Sequence, residues 1–213
     1  MLFRVINTNM KYVAGQEEGR SRPYRMRARA QASAATGQRI LEAAQRLFGK
    51  LPYDQVSLQA VAERADVTVQ TVLRRFASKE QLFAAVAEQT SRQIRSERDA
   101  APVGDVAGVV RNVVDNYERW GDHFLNLLAQ EQRTPAIRTV TDTGRRYHRA
   151  WVERSFTPLL AELPPGDREQ RLAQLIAVTD LYVWKVLRRD LGLSRDETEA
   201  AVRDLIRRLA EHG

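Results

Sequence analysis

The sequence predicts an all-α fold. Apolar residues recur at spacings of three and four along most of the chain, which places them on one face of a helix. No window alternates apolar and polar residues over the length of a strand, so no β-sheet is expected. Good N-cap residues and breaks at Gly and Pro divide the apolar stripes into short helices before Pro102 and longer helices after Gly104.

Composition limits the sites that this chain can form. Its 213 residues contain no Cys, which excludes disulfides, thiolate metal ligands and a cysteine nucleophile. No apolar run approaches the roughly 20 residues that span a bilayer. The apolar part of residues 1–15 is too short and too polar for a secretory signal. We therefore expect a cytoplasmic protein that does not insert into a membrane.

Positive charge is concentrated in the N-terminal half. Residues 1–99 contain 17 Lys and Arg against 10 Asp and Glu, whereas residues 100–213 contain 17 of each. The whole net charge of +7 thus belongs to the first half, which indicates a polyanionic partner such as nucleic acid or an anionic membrane. Residues 1–35 lack helical periodicity and are expected to form a flexible basic arm, either a nucleic-acid arm or a solvated tail. Its arginines crowd together at Arg20, Arg22, Arg25, Arg27 and Arg29.

Residues 36–83 are expected to form four helices. The first begins near Thr36, carries an apolar stripe from Ile40 to Phe48 and ends at Gly49. Each of the next three begins at a residue type that is favoured as an N-cap, namely Ser57, Thr68 and Ser78. Gln81 would complete a capping box with the last of these.

The two short helices, 57–65 and 68–77, are joined by a tight turn at Asp66 and braced by a longer helix. This is the arrangement of a helix-turn-helix, whose second helix enters a DNA major groove. On helical spacing, Val72 and Phe76 would face the interior. The alternative is a plain core helix in which one buried stripe is formed by Val69, Val72, Leu73 and Phe76.

The outer face of helix 68–77 carries groups that suit DNA. Gln70 can pair with adenine through two hydrogen bonds, and Arg74 can pair with guanine in the same way. Hydroxyls and cations that suit phosphates stand at Thr68, Thr71, Arg75 and Lys79.

Three stretches, RILEAAQRLF, VSLQAVAERADVTVQTVLRRF and SKEQLF, resemble the DNA-binding domain of TetR-type bacterial transcriptional regulators. The resemblance covers residues 36–83. It implies an N-terminal three-helix helix-turn-helix domain, whose third helix reads DNA within a homodimer, and a C-terminal helical domain that binds a small ligand and dimerises. The implied division is a basic arm 1–35, a DNA-binding domain 36–83, a connecting helix and linker 84–103, and a ligand-binding and dimerisation domain 104–213.

The resemblance also implies DNA contacts, position by position. The family's phosphate-binding caps fall on Thr36, Ser57 and Thr68, and its helix-four lysine falls on Lys79. The groove-facing positions fall on Val69, Gln70, Thr71, Leu73, Arg74 and Arg75.

Three positions depart from the family's pattern. Asp66 replaces the usual glycine of the turn, so an aspartate must adopt a positive φ. Leu73 replaces a tyrosine and so loses a hydroxyl for phosphate, leaving an apolar contact such as one with a thymine methyl. Arg75 replaces a histidine or tyrosine and can restore that phosphate contact with a permanent charge.

The C-terminal half is expected to contain long helices from Asp105 to about Gln130, from about Pro135 to Leu163, from Asp167 to Leu191 and from Ser194 onward. Capping boxes are expected at Asp167 with Gln170 and at Ser194 with Glu197. The apolar stripes of the last two helices are either buried within one chain or, as the resemblance implies, packed against a second copy in a four-helix bundle.

Large side chains recur at helical spacing in this half. They are either ordinary core or, as the resemblance implies, the lining of an apolar ligand pocket, and they are Tyr117, Trp120, Phe124, Leu128, Tyr147 and Trp151.

No catalytic site, metal site or cofactor is expected. The three histidines lack the spacing of a metal motif, and no P-loop, GxSxG or GxGxxG stretch occurs. The sequence therefore predicts a non-enzymatic, homodimeric transcriptional regulator, most simply a repressor released from a palindromic operator in double-stranded DNA by a small, apolar effector. The alternative is a helical small-molecule- or partner-binding protein whose basic half contacts an anionic membrane or an acidic protein. That alternative leaves the short capped helices unexplained.

Overall fold

The computed structural model describes the backbone of residues 17–211 and the side chains of residue 24 and residues 26–211. Every regular element in this part of the chain is helical, which confirms the all-α prediction. The helices are α1 Glu17–Phe48, α2 Leu58–Ala65, α3 Val69–Phe76, α4 Lys79–Arg98, α5 Val106–Leu128, α6 Pro135–Ser155, α7 Thr157–Leu160, α8 Pro165–Val178, α9 Leu181–Lys185 and α10 Arg195–Glu211. A 3₁₀ turn, Tyr53–Gln55, precedes α2, and a π-helical turn, Val186–Asp190, follows α9. No helix between residues 17 and 211 is long and apolar enough to cross a membrane.

Helix α1 begins well before the expected start at Thr36 and includes residues that the sequence assigns to a flexible arm. It runs without a break from Glu17 to Phe48. Ala, Arg, Gln and Met dominate residues 24–35, and these types favour a helix without needing an apolar face. Periodicity therefore misses this segment. The rest of the predicted arm, residues 1–16, lies outside the described residues.

Helices α1 to α4 are built around one apolar core. The buried members from these helices are led by Ile40, Ala44, Phe48, Val61, Val72, Leu82 and Phe83. Leu127 of α5 and Ile137 of α6 join the same core, so the C-terminal helices pack directly on the N-terminal ones. Burying an aliphatic or aromatic side chain of this size contributes about 1.5–3 kcal/mol.

The N-caps and the turn of the helix-turn-helix form as the sequence predicts, but the capping box of Ser78 with Gln81 is not completed, because the Ser78 N–H donates to the Phe76 carbonyl at 2.6 Å. The hydroxyl oxygens of Ser57, Thr68 and Ser78 each accept a hydrogen bond from the backbone N–H three residues later, at 3.0, 3.2 and 3.2 Å. Asp66 ends α2 in the left-handed conformation, with φ 54° and ψ 54°. The turn therefore closes without glycine.

Helices α5 to α10 share a second core, whose largest fully buried side chains include Trp151, Phe156 and Trp184. The predicted helix 135–163 divides at Phe156, which ends α6, and α7 follows. The predicted helix 167–191 is interrupted at Asp180, because its Oδ1 accepts from the backbone N–H of Tyr182 at 2.8 Å and caps α9.

One of the two C-terminal capping boxes is absent. Helix α8 begins at Pro165 rather than Asp167, because proline is favoured in the first turn, so the box with Gln170 does not form. The box at Ser194 and Glu197 is present. The Ser194 N–H donates to Glu197 Oε2 at 2.7 Å, and the Glu197 N–H donates to Ser194 Oγ at 3.2 Å.

Candidate DNA-binding face and ligand cavity

Helix α3 is anchored by an apolar inner face and presents a polar outer face. Val72 is 1% exposed, and Phe76 packs partly buried against the N-terminal core. Gln70, Arg74 and Arg75 are exposed. The helix therefore stands on the core with its arginines outward.

Two apolar residues of α3, Val69 and Leu73, differ in whether they pack against the N-terminal core. Val69, expected at a groove-facing position, is half-buried and packs against the N-terminal core, because it lies close to the same face as Val72. Leu73 is half-buried but lies outside that core, so the four residues do not form one buried stripe.

The predicted phosphate-binding residues differ in their surroundings. Ser57 and Thr68 are exposed caps, and Thr71 lies beside Thr68 with its Oγ1 at 2.9 Å from the Thr68 Oγ1. Lys79 turns toward Tyr53, with its Nζ 4.4 Å from the ring centroid and donating to the Asp54 carbonyl at 3.4 Å. Partial burial lowers the pKa of Lys79.

A cleft of about 420 Å³ separates α1 from α3. Arg75 crosses it and donates from Nη1 to Ser33 Oγ at 2.9 Å. The guanidinium lies so close to Gly37 that a Cβ there would collide with it. Thr36 is not a helix cap, because its Oγ1 donates to the Ala32 carbonyl at 2.9 Å within α1, but it lines this cleft. Hydroxyl and guanidinium donors in one cleft are the groups that bind phosphate oxygens.

The sequence did not indicate Ala32 and Ser33, which line this cleft, or Gly37, which lies against the Arg75 guanidinium. The only signal was a glycine inside a predicted helix, which often marks a close approach of another group.

A second cavity, of about 410 Å³, lies between the two cores and is bounded by α1, α4, α5, α6 and the segment where α8 gives way to α9. Four of the six residues predicted to line a ligand pocket are in its wall, namely Tyr117, Phe124, Leu128 and Tyr147. Trp120 and Trp151 are not. The Trp120 Nε1 donates to Glu97 Oε2 at 3.1 Å, and Trp151 is 1% exposed in the core, where its Nε1 donates to the Arg98 carbonyl at 2.9 Å.

Polar groups that the sequence did not indicate also line this cavity, and they include Arg98, Asn116, His148 and Asp180. Arg98 belongs to the polar stretch SRQIRSERDA, which reads as a solvated helix end, yet its side chain is buried. Burial, and then the nearby Arg98 charge, lowers the pKa of His148 to about 3. Burial, and then the Asp99 carboxylate that accepts from the Tyr147 hydroxyl at 2.9 Å, raises the pKa of Tyr147 to about 12.

No metal centre is formed by the described residues, since no three His, Asp or Glu side chains among them come close enough to share an ion. His123 instead lies beside the rings of Trp120 and Phe124, at centroid distances of 6.4 and 6.1 Å. Burial lowers its pKa.

A capped helix-turn-helix on an all-helical body is typical of DNA-binding transcriptional regulators. Residues 40–86 match the family model described as bacterial regulatory proteins, tetR family. This match confirms, over residues 40–86, the resemblance to the TetR-type DNA-binding domain seen in the sequence. No curated protein sequence matches the chain.

Solved structures extend the similarity to the C-terminal helices. GusR of Salmonella enterica is similar with a TM-score of 0.65 at 18% identity, over 83% of this chain and 95% of that one. A TetR-family transcriptional regulator from Streptomyces coelicolor gives 0.63 at 24% identity, over 84% and 95%. The multidrug binding protein EbrR, solved with imidazole, gives 0.55 at 25% identity, over 81% and 88%. The chain thus has the fold of TetR-type regulators.

Proposed function

We propose that this protein is a homodimeric transcriptional regulator of the cytoplasm, a repressor that leaves a palindromic operator when a small, apolar effector occupies the cavity between its cores. The observation that carries the proposal is the orientation of α3. Val72 anchors this helix in the core, while Gln70, Arg74 and Arg75 are exposed. In this proposal residues 36–83 bind DNA, residues 84–103 connect, and residues 104–213 hold the effector and the second subunit.

The DNA contacts follow from what each side chain can reach. Gln70 and Arg74 are exposed and read base edges, while the half-buried Leu73 and Val69 supply apolar contacts such as one to a thymine methyl. The remaining positions contact the phosphate backbone, namely Thr36, Ser57, Thr68, Thr71, Arg75 and Lys79. Lys79 must first leave the Tyr53 ring, so we expect it to contribute least among the cations.

A homodimer is supported by apolar side chains left exposed on the last helices. Tyr182 is 54% exposed, Val186 46% and Leu205 42%, whereas their neighbours Trp184, Val202 and Ile206 are buried. A second copy packed on this surface would bury them and place the two α3 helices on successive major grooves, about 34–36 Å apart.

Effector response is supported by the position of the cavity. Its wall contains Phe48 and Phe83 of the DNA-binding part and Tyr117 and Phe124 of the C-terminal part. An effector that fits only one arrangement of these walls shifts the dimer toward that arrangement. The protein leaves the operator when the distance between its two α3 helices in that arrangement no longer matches the distance between the half-sites.

A mobility-shift titration on the DNA upstream of the protein's own gene tests the function. We expect a complex of two chains per palindrome whose affinity falls steeply with salt, because bound cations displace counterions. Replacing the exposed pair with alanine, as Arg74→Ala together with Arg75→Ala, should abolish the shift. The matched control is Arg207→Ala, an exposed arginine of α10 that pairs with Asp204 and Glu211. Binding to anionic vesicles without binding to DNA would contradict the proposal and favour the alternative partner-binding protein.

A further inference from the structure

We infer that the cavity between the two cores binds a carboxylic acid with an apolar body, and that the guanidinium of Arg98 anchors the carboxylate. The inference deepens the proposed function, on which its regulatory meaning rests, by naming the chemical class of the effector. Three observations support it: Arg98 is buried, the groups that contact it are neutral, and the cavity has a largely apolar wall.

Arg98 is a buried cation without a carboxylate partner among the described residues. Its relative exposure is 4%, and its Nε has no hydrogen-bond partner. The nearest acids in sequence are already engaged, since Glu97 pairs with Arg119 at 3.1 Å and Asp99 pairs with Arg154 at 2.7 Å. A buried ion without an opposite charge is costly, so such a group is normally paired.

The contacts that Arg98 does make are neutral. Its Cζ lies 3.8 Å from the Trp151 ring centroid and 5.7 Å from that of Tyr117, so two π faces offset part of the cost. Its Nη2 lies 3.1 Å from His148 Nδ1. Arginine can only donate, so this nitrogen accepts, and the low pKa of His148 keeps the ring neutral. None of these groups supplies a negative charge.

The other charged groups of the cavity wall already have partners. Arg95 pairs with Glu88 at 3.6 Å, and Arg145 pairs with Glu131 at 2.6 Å. Asp180 is the carboxylate of the wall, and its Oδ1 accepts from the Tyr182 N–H at 2.8 Å. Arg98 is thus the wall cation whose charge remains unmatched within the described part of the chain.

The rest of the cavity suits an apolar body. Its wall is largely aliphatic and aromatic, including Phe48, Phe83, Val86, Phe124, Leu127 and Leu128. Its volume of about 410 Å³ lies in the range of small-molecule sites. At ~30 Å³ per water-sized group, it holds on the order of a dozen non-hydrogen atoms. Asn116, whose Oδ1 is buried and without a partner, is a further polar residue of the wall, next to Tyr117 in sequence.

Calorimetric titration of the full chain with decanoate, decan-1-ol and decylamine tests the anchor. These three probes have alkyl chains of similar length and differ in the charge of the head group. A fourth probe, 2-naphthoate, shows whether the cavity prefers an aromatic acid to an alkyl acid. We expect the wild type to bind an acid roughly 10–100-fold more tightly than the alcohol, as a charge-assisted hydrogen bond implies. Equal binding of acid and alcohol, or tighter binding of decylamine, would overturn the inference.

Variants locate the preference on one side chain. Arg98→Met should bring the acid-to-alcohol ratio close to one while alcohol binding persists, and Arg98→Lys should keep a reduced preference, since a charge remains without the guanidinium fork. The matched control, Arg92→Met, removes an exposed arginine of the same helix that pairs with Glu88, and its ratio should equal that of the wild type. A ratio unchanged in Arg98→Met would refute the assignment. If that variant does not fold, the wild-type ratio and Arg98→Lys decide.

The two proposals can fail separately. Preference for an acid without any DNA binding would contradict the proposed regulatory function and support Arg98 as the carboxylate anchor. Specific DNA binding without a preference for the acid would contradict the role of Arg98 and support the regulatory function.

Discussion

The backbone N–H of Tyr53 donates to the side-chain Oε1 of Gln130 at 2.7 Å, which joins the turn before α2 to the end of α5. Gln130 is 7% exposed, and its Nε2 donates to the Asn126 carbonyl at 2.8 Å. The Tyr53 ring lies 5.7 Å from that of Phe48 and 5.3 Å from that of Phe83. This buried amide thus adds a hydrogen bond between the N-terminal and C-terminal helices to the apolar core that they share.

Replacing this amide should weaken the whole fold. Gln130→Ala leaves the Tyr53 N–H without its acceptor, and we expect the free energy of unfolding to fall by about 1–3 kcal/mol. Urea denaturation followed by circular dichroism measures the change. Gln132→Ala, at an exposed position of the same connection, should stay within about 0.5 kcal/mol of the wild type. An equal loss in both variants would show that the amide has no special role.

The two neighbouring arginines of α3 should act differently on DNA. Arg74→Ala should reduce discrimination against an altered guanine by about 1–3 kcal/mol, because the contact is to a base. Arg75→Ala should weaken operator and random DNA alike and reduce the salt slope by about one, because the contact is to phosphate. Fluorescence anisotropy with both DNAs at several salt concentrations separates these effects. Uniform weakening by Arg74→Ala would assign it to phosphate instead.

Gly121 allows a tryptophan to approach α5 closely. A Cβ at this position would lie 2.5 Å from Cη2 and Cζ3 of Trp184, whose side chain is 2% exposed. We therefore expect Gly121→Ala to destabilise the protein by about 1–3 kcal/mol through overpacking.

Gly144 provides the matched control, since it lies inside α6 and a Cβ added there would have no neighbouring atom within 4 Å. Gly144→Ala should stabilise the protein by up to about 1 kcal/mol, because alanine favours a helix. Thermal unfolding of both variants provides the comparison. A loss of similar size at both positions would mean that helix geometry, and not the tryptophan contact, decides.

Stability should fall as the pH decreases below about 6.5. The folded pKa of His148 is about 3 against an ordinary 6.5, so folding favours the neutral ring. This contribution is fully present above pH 6.5 and is lost as the pH falls from 6.5 toward 3, at up to about 1.4 kcal/mol per pH unit. Urea midpoints between pH 7.5 and 5 measure the slope.

Two variants divide this slope between the histidines. His148→Asn should flatten the slope most, because the pKa of His148 is lowered furthest. His123→Gln should also flatten it, because burial lowers the pKa of His123 too. The carboxylates with lowered pKa, such as Glu118 and Glu131, titrate below this range. A slope unchanged in His148→Asn would contradict the assignment.

The helix-turn-helix could be predicted because its signals are local. Ser57 and Thr68 cap their helices through hydrogen bonds that span three residues, and Asp66 takes the positive φ that the missing glycine required. The extension of α1 before Thr36 could not be predicted from periodicity, because an exposed helix carries no apolar face. The break at Asp180 was hidden because the apolar stripe continues on both sides of it.

The cavity wall was predicted only in part, since helical spacing shows which residues face inward but not whether they meet a void or another side chain. Tyr117 and Phe124 meet the void, whereas Trp151 fills the core on a neighbouring helix. Arg98 was missed for the opposite reason. A charged residue in a polar stretch reads as solvated, and only the packing of α4 against α5 and α6 buries it.

Helix α1 reaches both of the proposed sites. Phe48, in its last turn, lines the cavity, and Ser33, roughly 22 Å along the axis at about 1.5 Å per residue, holds Arg75 of the base-reading helix. No loop lies between them, because the helix is continuous from Glu17 to Phe48. If the proposed effector displaces the backbone around Phe48, the movement can therefore reach Ser33 and Arg75 along one continuous helix, without passing through a loop.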